Sequence, residues 1–344
     1  MGPLKGFKII EIAGIGPSQF CGMLLGDMGA EVLRIERAGE DEADIAIPPR
    51  MNVMNRSRST ITADLKTEQG RKLVLCLCGQ ADALFEGFRP GVMERLGLGP
   101  ADCQARNGKL VYGRMTGWGQ DGPLAQAAGH DANYIGISGV LGAIGERGRN
   151  PAYPLILAGD LGGGAMYLAV GILAALLEAS RSGRGQVVDA AIVDGSCNLM
   201  ALFHGLMAAG IWRDERGSNL LDGGAPFSRP YVTADGRHVV IQPLENRFFR
   251  DLLDRMGIES LDSARQYDPA YWPEIERVLG EVFRRKTRDE WCEVLEGTDA
   301  CFAPVLSLKE VAKHPHNRAR GTMVRIEGVE QPAPAPRFSR TQAE

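Results

Sequence analysis

The strongest constraint on the fold lies in the first third of the chain, where short β-branched runs alternate with stretches of helical periodicity. Phe7 to Ile12 leads through the turn Gly14-Ile15-Gly16-Pro17 into an apolar-periodic stretch reaching Leu25. A second run follows from Glu31 to Ile35 and a third around Ser59 to Ala63. Thr67 to Leu77 reads as helix, Ala83 to Phe85 as strand, Pro90 opens a further helix, and Leu110 to Gly113 reads as another strand. Strands interleaved with helices need crossover connections, and these give a parallel sheet with ligand sites at the strand carboxyl ends. The expected class is therefore α/β with a Rossmann-like parallel sheet.

Beyond Gly129 comes a glycine-rich stretch, then a strongly apolar helix from about Gly163 to Ser180 that stops at Arg181-Ser182-Gly183-Arg184-Gly185. Gln186 to Ala190 reads as a buried strand and Cys197 to Ile211 as helix. The loop Asp214 to Pro226 is a candidate boundary. Strands at Tyr231 to Thr233 and His238 to Gln242 and helices at Phe248 to Met256, Pro273 to Arg284 and Arg288 to Leu295 then form a second, smaller α/β unit. The Pro/Ala-rich tail Gln331 to Arg337 reads as extended. Two units fit a length of 344 residues, at roughly 150 per domain.

The net charge of −4 gives no global attraction to nucleic acid or to an anionic membrane, so neither is an expected partner. An anionic ligand must instead meet a local basic cluster. Arg34, Arg37, Arg56, Arg58, Lys66, Arg89 and Arg95 all fall near predicted strand ends, which suits a phosphorylated ligand as well as it suits a solvated basic face. Seven scattered cysteines, with Cys76 and Cys78 one residue apart rather than in a C-x-x-C pair, read as reduced thiols, with no metal site expected. The opening residues lack a secretion or myristoylation pattern and the last four form no retention address, so a cytoplasmic location is expected. The uncharged run Leu161 to Leu177 is marginal for a membrane span and reads as a buried helix.

Two segments carry chemistry. Gly14-Ile15-Gly16-Pro17-Ser18-Gln19, with Glu36 about twenty residues on, is a poor dinucleotide fingerprint: Gln19 replaces the third glycine and Pro17 removes an amide donor. The sharper segment is Gly129-His130-Asp131-Ala132-Asn133-Tyr134, followed thirty residues later by Gly159-Asp160-Leu161-Gly162-Gly163-Gly164. His130 is a candidate base. Asp160 could merely cap the helix. The glycines beside it could leave amides exposed at a positive helix end for an oxyanion, so that together the groups suit proton abstraction next to a carbonyl.

These segments, with Gly-Phe-Lys-Ile-Ile-Glu-Ile-Ala-Gly-Ile-Gly-Pro at 6–17, Glu-Gly-Phe-Arg-Pro-Gly-Val-Met-Glu-Arg-Leu-Gly at 86–97, Gly-Arg-Met-Thr-Gly-Trp-Gly-Gln at 113–120 and Gly183 to Ala190, resemble the CaiB/BaiF family III coenzyme A transferases. Within them the chain looks most like the members that racemise 2-methylacyl-CoA thioesters. The resemblance covers nearly the whole chain. It implies a large CoA-binding domain over residues 1–190 completed by about 320–344, a linker at 191–225, a small domain at 226–305 and a return linker at 306–319. It also implies an interlocked homodimer and no cofactor, since CoA is part of the substrate.

By the same resemblance His130 and Asp160 are the two acid/base residues. Asp131 supports the site, and Glu245 of the small domain hydrogen-bonds toward the histidine. Arg37, Ala63, Asp64, Leu65, Lys66, Gly87, Phe88, Arg89, Arg95, Gly129 and Tyr134 match CoA-binding positions. The chain departs from that pattern at Ile156, where similar racemases carry asparagine, so part of the polar support of Asp160 is absent or supplied otherwise. It also departs after the Pro-Ala-Pro-Arg-Phe-Ser-Arg motif at 334–340, where the pattern continues into a further helix. Two other activities stay open on the residues: a CoA transferase with Asp160 as nucleophile, and a protein that binds acyl-CoA without turning it over.

Overall fold

The computed structural model describes residues 2–37 and 47–341. Six strands, β1 (Lys8–Ile12), β2 (Glu31–Glu36), β3 (Arg58–Thr62), β4 (Ala83–Glu86), β5 (Val111–Thr116) and β6 (Val187–Ala191), form one sheet in the order β3-β2-β1-β4-β5-β6. Every neighbouring pair is parallel. Between them run α1 (Pro17–Asp27), α2 (Glu68–Cys78), α3 (Val92–Arg95), α4 (Pro100–Gln104), α5 (Asp131–Ile137) and α6 (Val140–Ala143). A π-helix, Leu157–Met166, then continues into α7 (Tyr167–Ser182), and α8 (Ile192–Leu199) follows β6. This strand order is that of a doubly wound sheet, whose direction of winding reverses between β1 and β4.

The alternation of side chains along each strand feeds two cores. Ile9, Ala83, Phe85 and Val111 pack with Leu25 of α1 and Leu168 and Ile172 of α7. Ile10, Ile12, Leu84 and Tyr112 face the other way, toward Val74 and Cys78 of α2. Each such enclosed apolar side chain contributes about 1.5–3 kcal/mol, which is why strands covered on both faces read as continuous apolar runs. Glu11 breaks the run. Fully buried on β1, it accepts hydrogen bonds from Arg34 Nη1 on β2 at 2.7 Å and from Arg58 on β3. Burial pushes its carboxyl up while the two guanidinium groups pull it down.

The helical stretch Leu157–Ser182 is long and apolar enough to cross a membrane by length and composition. Leu168, Ala169, Ile172, Ala175, Leu176 and Ala179 of this stretch are nonetheless built into the first core. Of the segment Gln331 to Arg337, expected as extended, Gln331 and Pro332 end a hairpin strand, β11 (Val329–Pro332), paired with β10 (Met323–Ile326). Arg56 ties that hairpin to α1: it donates to Gln331 Oε1 at 3.1 Å and Pro332 O at 2.6 Å while pairing with Asp27 at 2.6 Å.

The chain divides into two compact units, one of Met1–Val140, Pro154–Ala201 and Arg320–Glu344, the other of Leu141–Tyr153 and Leu202–Ala319. The second unit holds most of α9 (Ala201–Ala208), then β7 (Arg229–Val232), β8 (His238–Ile241), α10 (Asn246–Met256), α11 (Trp272–Phe283), α12 (Arg288–Leu295), β9 (Phe302–Pro304) and most of α13 (Pro315–Arg320). Its sheet is antiparallel in the order β7-β8-β9. Its core is aromatic, with Tyr231 stacked on Phe283 at 5.1 Å and Trp291 edge-on to Phe283 at 5.3 Å. A capping box starts α12, where Glu290 Oε2 accepts from the Thr287 amide at 2.7 Å and Thr287 Oγ1 accepts from the Glu290 amide at 3.3 Å.

Candidate active site

Two cavities open in the first unit at the carboxyl ends of its parallel strands. The first, about 320 Å³, lies beyond β1, β4 and β5 and is lined by Ile15, Gly87, Arg89, Trp118, Gly129, His130, Tyr134 and Asp160 among others. The second, about 360 Å³, lies beyond β1, β2 and β3 and is lined by Glu36, Arg37, Ala63, Asp64, Leu65 and Lys66 among others. Phe88 lines both. A larger cavity of about 820 Å³ in the second unit contains none of the expected residues. The two strand-end cavities are the chemically significant ones, because open parallel sheets gather ligands where the winding reverses.

His130 reaches the first cavity as the residue that caps α5, with extended backbone at φ −133° and ψ 174°. Its amide donates to Asn133 Oδ1 at 3.0 Å, which fixes the backbone and leaves the imidazole exposed to the cavity. Asp131, next in sequence, is buried, and its Oδ1 accepts from the Asp160 amide at 2.6 Å. Its Oδ2 is buried without a hydrogen-bond partner. The same carboxylate therefore holds Asp160 in place and lays a negative charge beside it. Burial first, and the Asp131 charge second, push the Asp160 carboxyl up to about 6, with His130 pulling the other way.

Asp160 sits inside the first turn of the π-helix, whose capping residue is Ile156. The expected helix start at Gly163 is therefore corrected, and Asp160 is no cap. The expected oxyanion amides at Gly162 to Gly164 are corrected as well, because Gly163 and Gly164 are buried in contact with a neighbouring helix. A Cβ on Gly163 would lie 2.7 Å from the Ser196 amide and 3.0 Å from the Ile192 carbonyl oxygen, so the glycines let the π-helix and α8 touch backbone to backbone. The start of α1 stands beside the Asp160 carboxyl. Gly16, at φ 62°, caps α1, and a Cβ there would lie 2.9 Å from Asp160 Oδ2. Ile156 makes no capping bond, and the polar support of Asp160 comes from Asp131.

The cavity wall is aromatic. Trp118 and Tyr134 meet edge to face at 4.7 Å, and the Tyr134 hydroxyl donates to the Gly129 carbonyl. Gly129 has no space for a side chain, since a Cβ would lie 2.8 Å from Tyr134 and 2.9 Å from Trp118.

Of the other expected positions, Arg37, Ala63, Asp64, Leu65 and Lys66 line the second cavity and Gly87, Phe88 and Arg89 the loop between the two. Arg95, on α3, is among the lining residues of neither. Glu245 belongs to the second unit, where it caps α10. Of the basic cluster, Arg34 and Arg58 are spent on Glu11 and Arg56 on Asp27. Arg37, Lys66 and Arg89 remain for an anionic ligand. Trp118 was not singled out as a binding residue from the sequence, and Glu36 was named only as the acidic position of a poor dinucleotide fingerprint, although both stand where a strand ends, which is the signal that locates them. Among the described residues no cluster of three or more His, Cys, Asp or Glu could hold a metal.

The profile of the family described as CoA-transferase family III matches residues 4–344. The chain is 43% identical to alpha-methylacyl-CoA racemase of Mus musculus over 341 residues, covering 99% of this chain and 87% of that protein. It is 40% identical, over the same span and coverage, to alpha-methylacyl-CoA racemase of Homo sapiens. Among solved structures, a CAIB/BAIF family protein from Brucella suis superposes with a TM-score of 0.84 at 27% identity, covering 100% of this chain and 94% of that one.

Proposed function

The chain belongs to CoA-transferase family III, and from that membership we propose that it racemises 2-methylacyl-CoA thioesters by moving a proton on and off the α-carbon. The observation that carries the reading is the pair His130 and Asp160 lining one small cavity at the point where the sheet reverses its winding. A carboxyl held up to about 6 can give a proton as well as take one.

In one direction the neutral imidazole of His130 takes the α-proton. The C–H bond breaks, its electrons form the enolate, and protonated Asp160 then delivers a proton to the opposite face. The other direction exchanges the two roles. A thioester suits this chemistry because sulfur donates weakly into the carbonyl, so the α-proton is more acidic than that of an ester. The positive end of α1 beside Asp160 favours negative charge collecting there. Asp131 acts through Asp160 as a positioning residue. Glu245 is assigned to hydrogen-bond toward His130.

The remote nucleotide handle of CoA supplies binding energy that need not come from the reacting carbon. Arg37, Ala63, Asp64, Leu65 and Lys66 are assigned to it, with Gly87, Phe88 and Arg89 along the path and Gly129 and Tyr134 at the reacting end, while Arg95, which lines neither cavity, is assigned from the resemblance alone. CoA is thus part of the substrate, and no resident cofactor is required. The proposal extends to a homodimer, a cytoplasmic setting and a place in lipid metabolism. For the dimer, support comes from Val170, Leu177, Leu202 and Ile211, whose apolar side chains are more than half exposed in the single chain.

Incubating the protein with one epimer of a 2-methylacyl-CoA in deuterium oxide tests the reading. The expected result is deuterium entering C2 together with loss of optical purity. Transfer of CoA to an added free acid, with a hydroxylamine-trappable acyl group on Asp160, would establish a transferase instead. Binding with neither reaction would leave a carrier.

A further inference from the structure

Glu86 is the last residue of β4 and is 3% exposed, directly before the Gly87–Pro90 loop that lines the catalytic cavity. Its Oε2 accepts from the Phe88 amide at 2.7 Å, and Phe88 is the residue common to the walls of both cavities. The charged groups around it are few. Arg114 on β5 comes no closer than 3.9 Å, from Nε to Glu86 Oε1, while its other nitrogens are engaged by Glu94 on α3 and by Gln120 Oε1 at 2.8 Å. Tyr112, also on β5, feels the Glu86 charge.

A buried carboxylate whose close partner is one backbone amide is a costly choice for a strand end that Leu or Val could fill. Burial pushes its carboxyl up to about 7, against the pull of the Phe88 amide and Arg114. The loop it holds is tightly seated, since a Cβ on Gly87 would lie 2.7 Å from Ser18 Oγ of α1.

We infer that Glu86 is a positioning residue for the reaction: by holding the Phe88 amide it fixes the Gly87–Pro90 loop, and so sets the register between the nucleotide handle in one cavity and the α-carbon in the other. The inference rests on the acyl-CoA reading above. It separates two kinds of substrate, because a thioester of full CoA spans both cavities whereas a thioester of pantetheine lacks the nucleotide and reaches only the reacting end.

The test measures kcat/KM for 2-methylacyl thioesters of CoA and of pantetheine with the full chain and with Glu86→Leu and Glu86→Gln. Leucine fills the space without an acceptor, whereas glutamine keeps a carbonyl for the Phe88 amide. Glu86→Leu is expected to lose about tenfold or more on the CoA thioester, less than about threefold on the pantetheine thioester, and nothing in melting temperature, since small misplacements far from the chemistry are enough to cost that much. Glu86→Gln is expected to recover most of the loss. Equal losses on both thioesters, no recovery with glutamine, or a fall in melting temperature that tracks the fall in rate would each overturn the inference. If the unaltered protein racemises neither thioester, the acyl-CoA reading fails first, and the two failures are thereby told apart.

Discussion

In the proposed mechanism His130 and Asp160 are productive only while they share a single proton, because neutral imidazole with carboxylic acid and imidazolium with carboxylate are two arrangements of one protonation state. Either epimer therefore gives the same bell-shaped dependence of kcat/KM on pH, and the limiting values belong to the pair rather than to one residue. Asp131→Asn removes the charge that helps lift Asp160, so the whole bell is expected to move to lower pH; a profile that stays put or moves up contradicts the role given to Asp131. The raised carboxyl has a stability cost of definite sign. Its value in the folded chain, about 6, lies above the ordinary 3.8, so the contribution to stability is intact below about pH 3.8 and lost as pH rises through 6. Asp160→Asn is expected to be more stable than the parent at pH 8, by about 1–2 kcal/mol after solvent screening, and to converge with it near pH 4 in urea titrations. The sequence singled out the two residues that line this cavity together, a histidine flanked by glycine and aspartate and an aspartate before three glycines. It did not disclose that Asp131 would grip the Asp160 amide, or that Arg34, Arg56 and Arg58 would be spent on buried carboxylates, since both depend on contacts between residues 23 to 47 positions apart.

Among the elements, the parallel strands were legible because most are short apolar runs bounded by turn residues; five lie within one residue of their expected bounds, while β5 runs three residues past its expected end at Gly113. The helix carrying Asp160 was not. Glycines within an apolar stretch read as a helix start, whereas here they allow the π-helix and α8 to meet, with a Cβ on Gly195 only 1.9 Å from the Gly163 carbonyl oxygen. That contact is between backbones and neither can yield cheaply. Gly195→Ala is expected to destabilise the protein by about 1–3 kcal/mol and to shift the π-helix, lowering racemisation by more than it lowers CoA binding. Denaturant melts and a CoA titration on the same variant check both parts, and a stable variant with full activity contradicts the packing account. The hairpin of β10 and β11 was missed for a different reason. Proline-rich composition argues for extended backbone without showing its strand partner; the resemblance placed about 320–344 with the first unit, and the pairing of β10 with β11 and the reach of Arg56 to Gln331 and Pro332 show how the segment joins it.

At the scale of the molecule, length led to an expectation of two units, and two with separate cores are seen, but they divide at Ala201 rather than near residue 214, and Leu141–Tyr153, expected in the large domain, belong to the second unit. Assembly left no periodicity to read, and it enters through the apolar side chains that a single chain leaves in water. Light scattering is expected to give twice the 37.2 kDa chain mass at working concentration; a monomer contradicts the dimer proposal without touching the chemistry. The central claim, that two different groups serve the two faces of one carbon, is tested most directly by following α-hydrogen exchange in deuterium oxide with each pure epimer and each single variant. With His130→Ala, exchange is predicted from the epimer that presents its proton to Asp160 and from no other; with Asp160→Ala, only from the opposite epimer; and with neither variant does the configuration invert. If both variants exchange the same epimer, or either still inverts the centre, the two-base account is wrong.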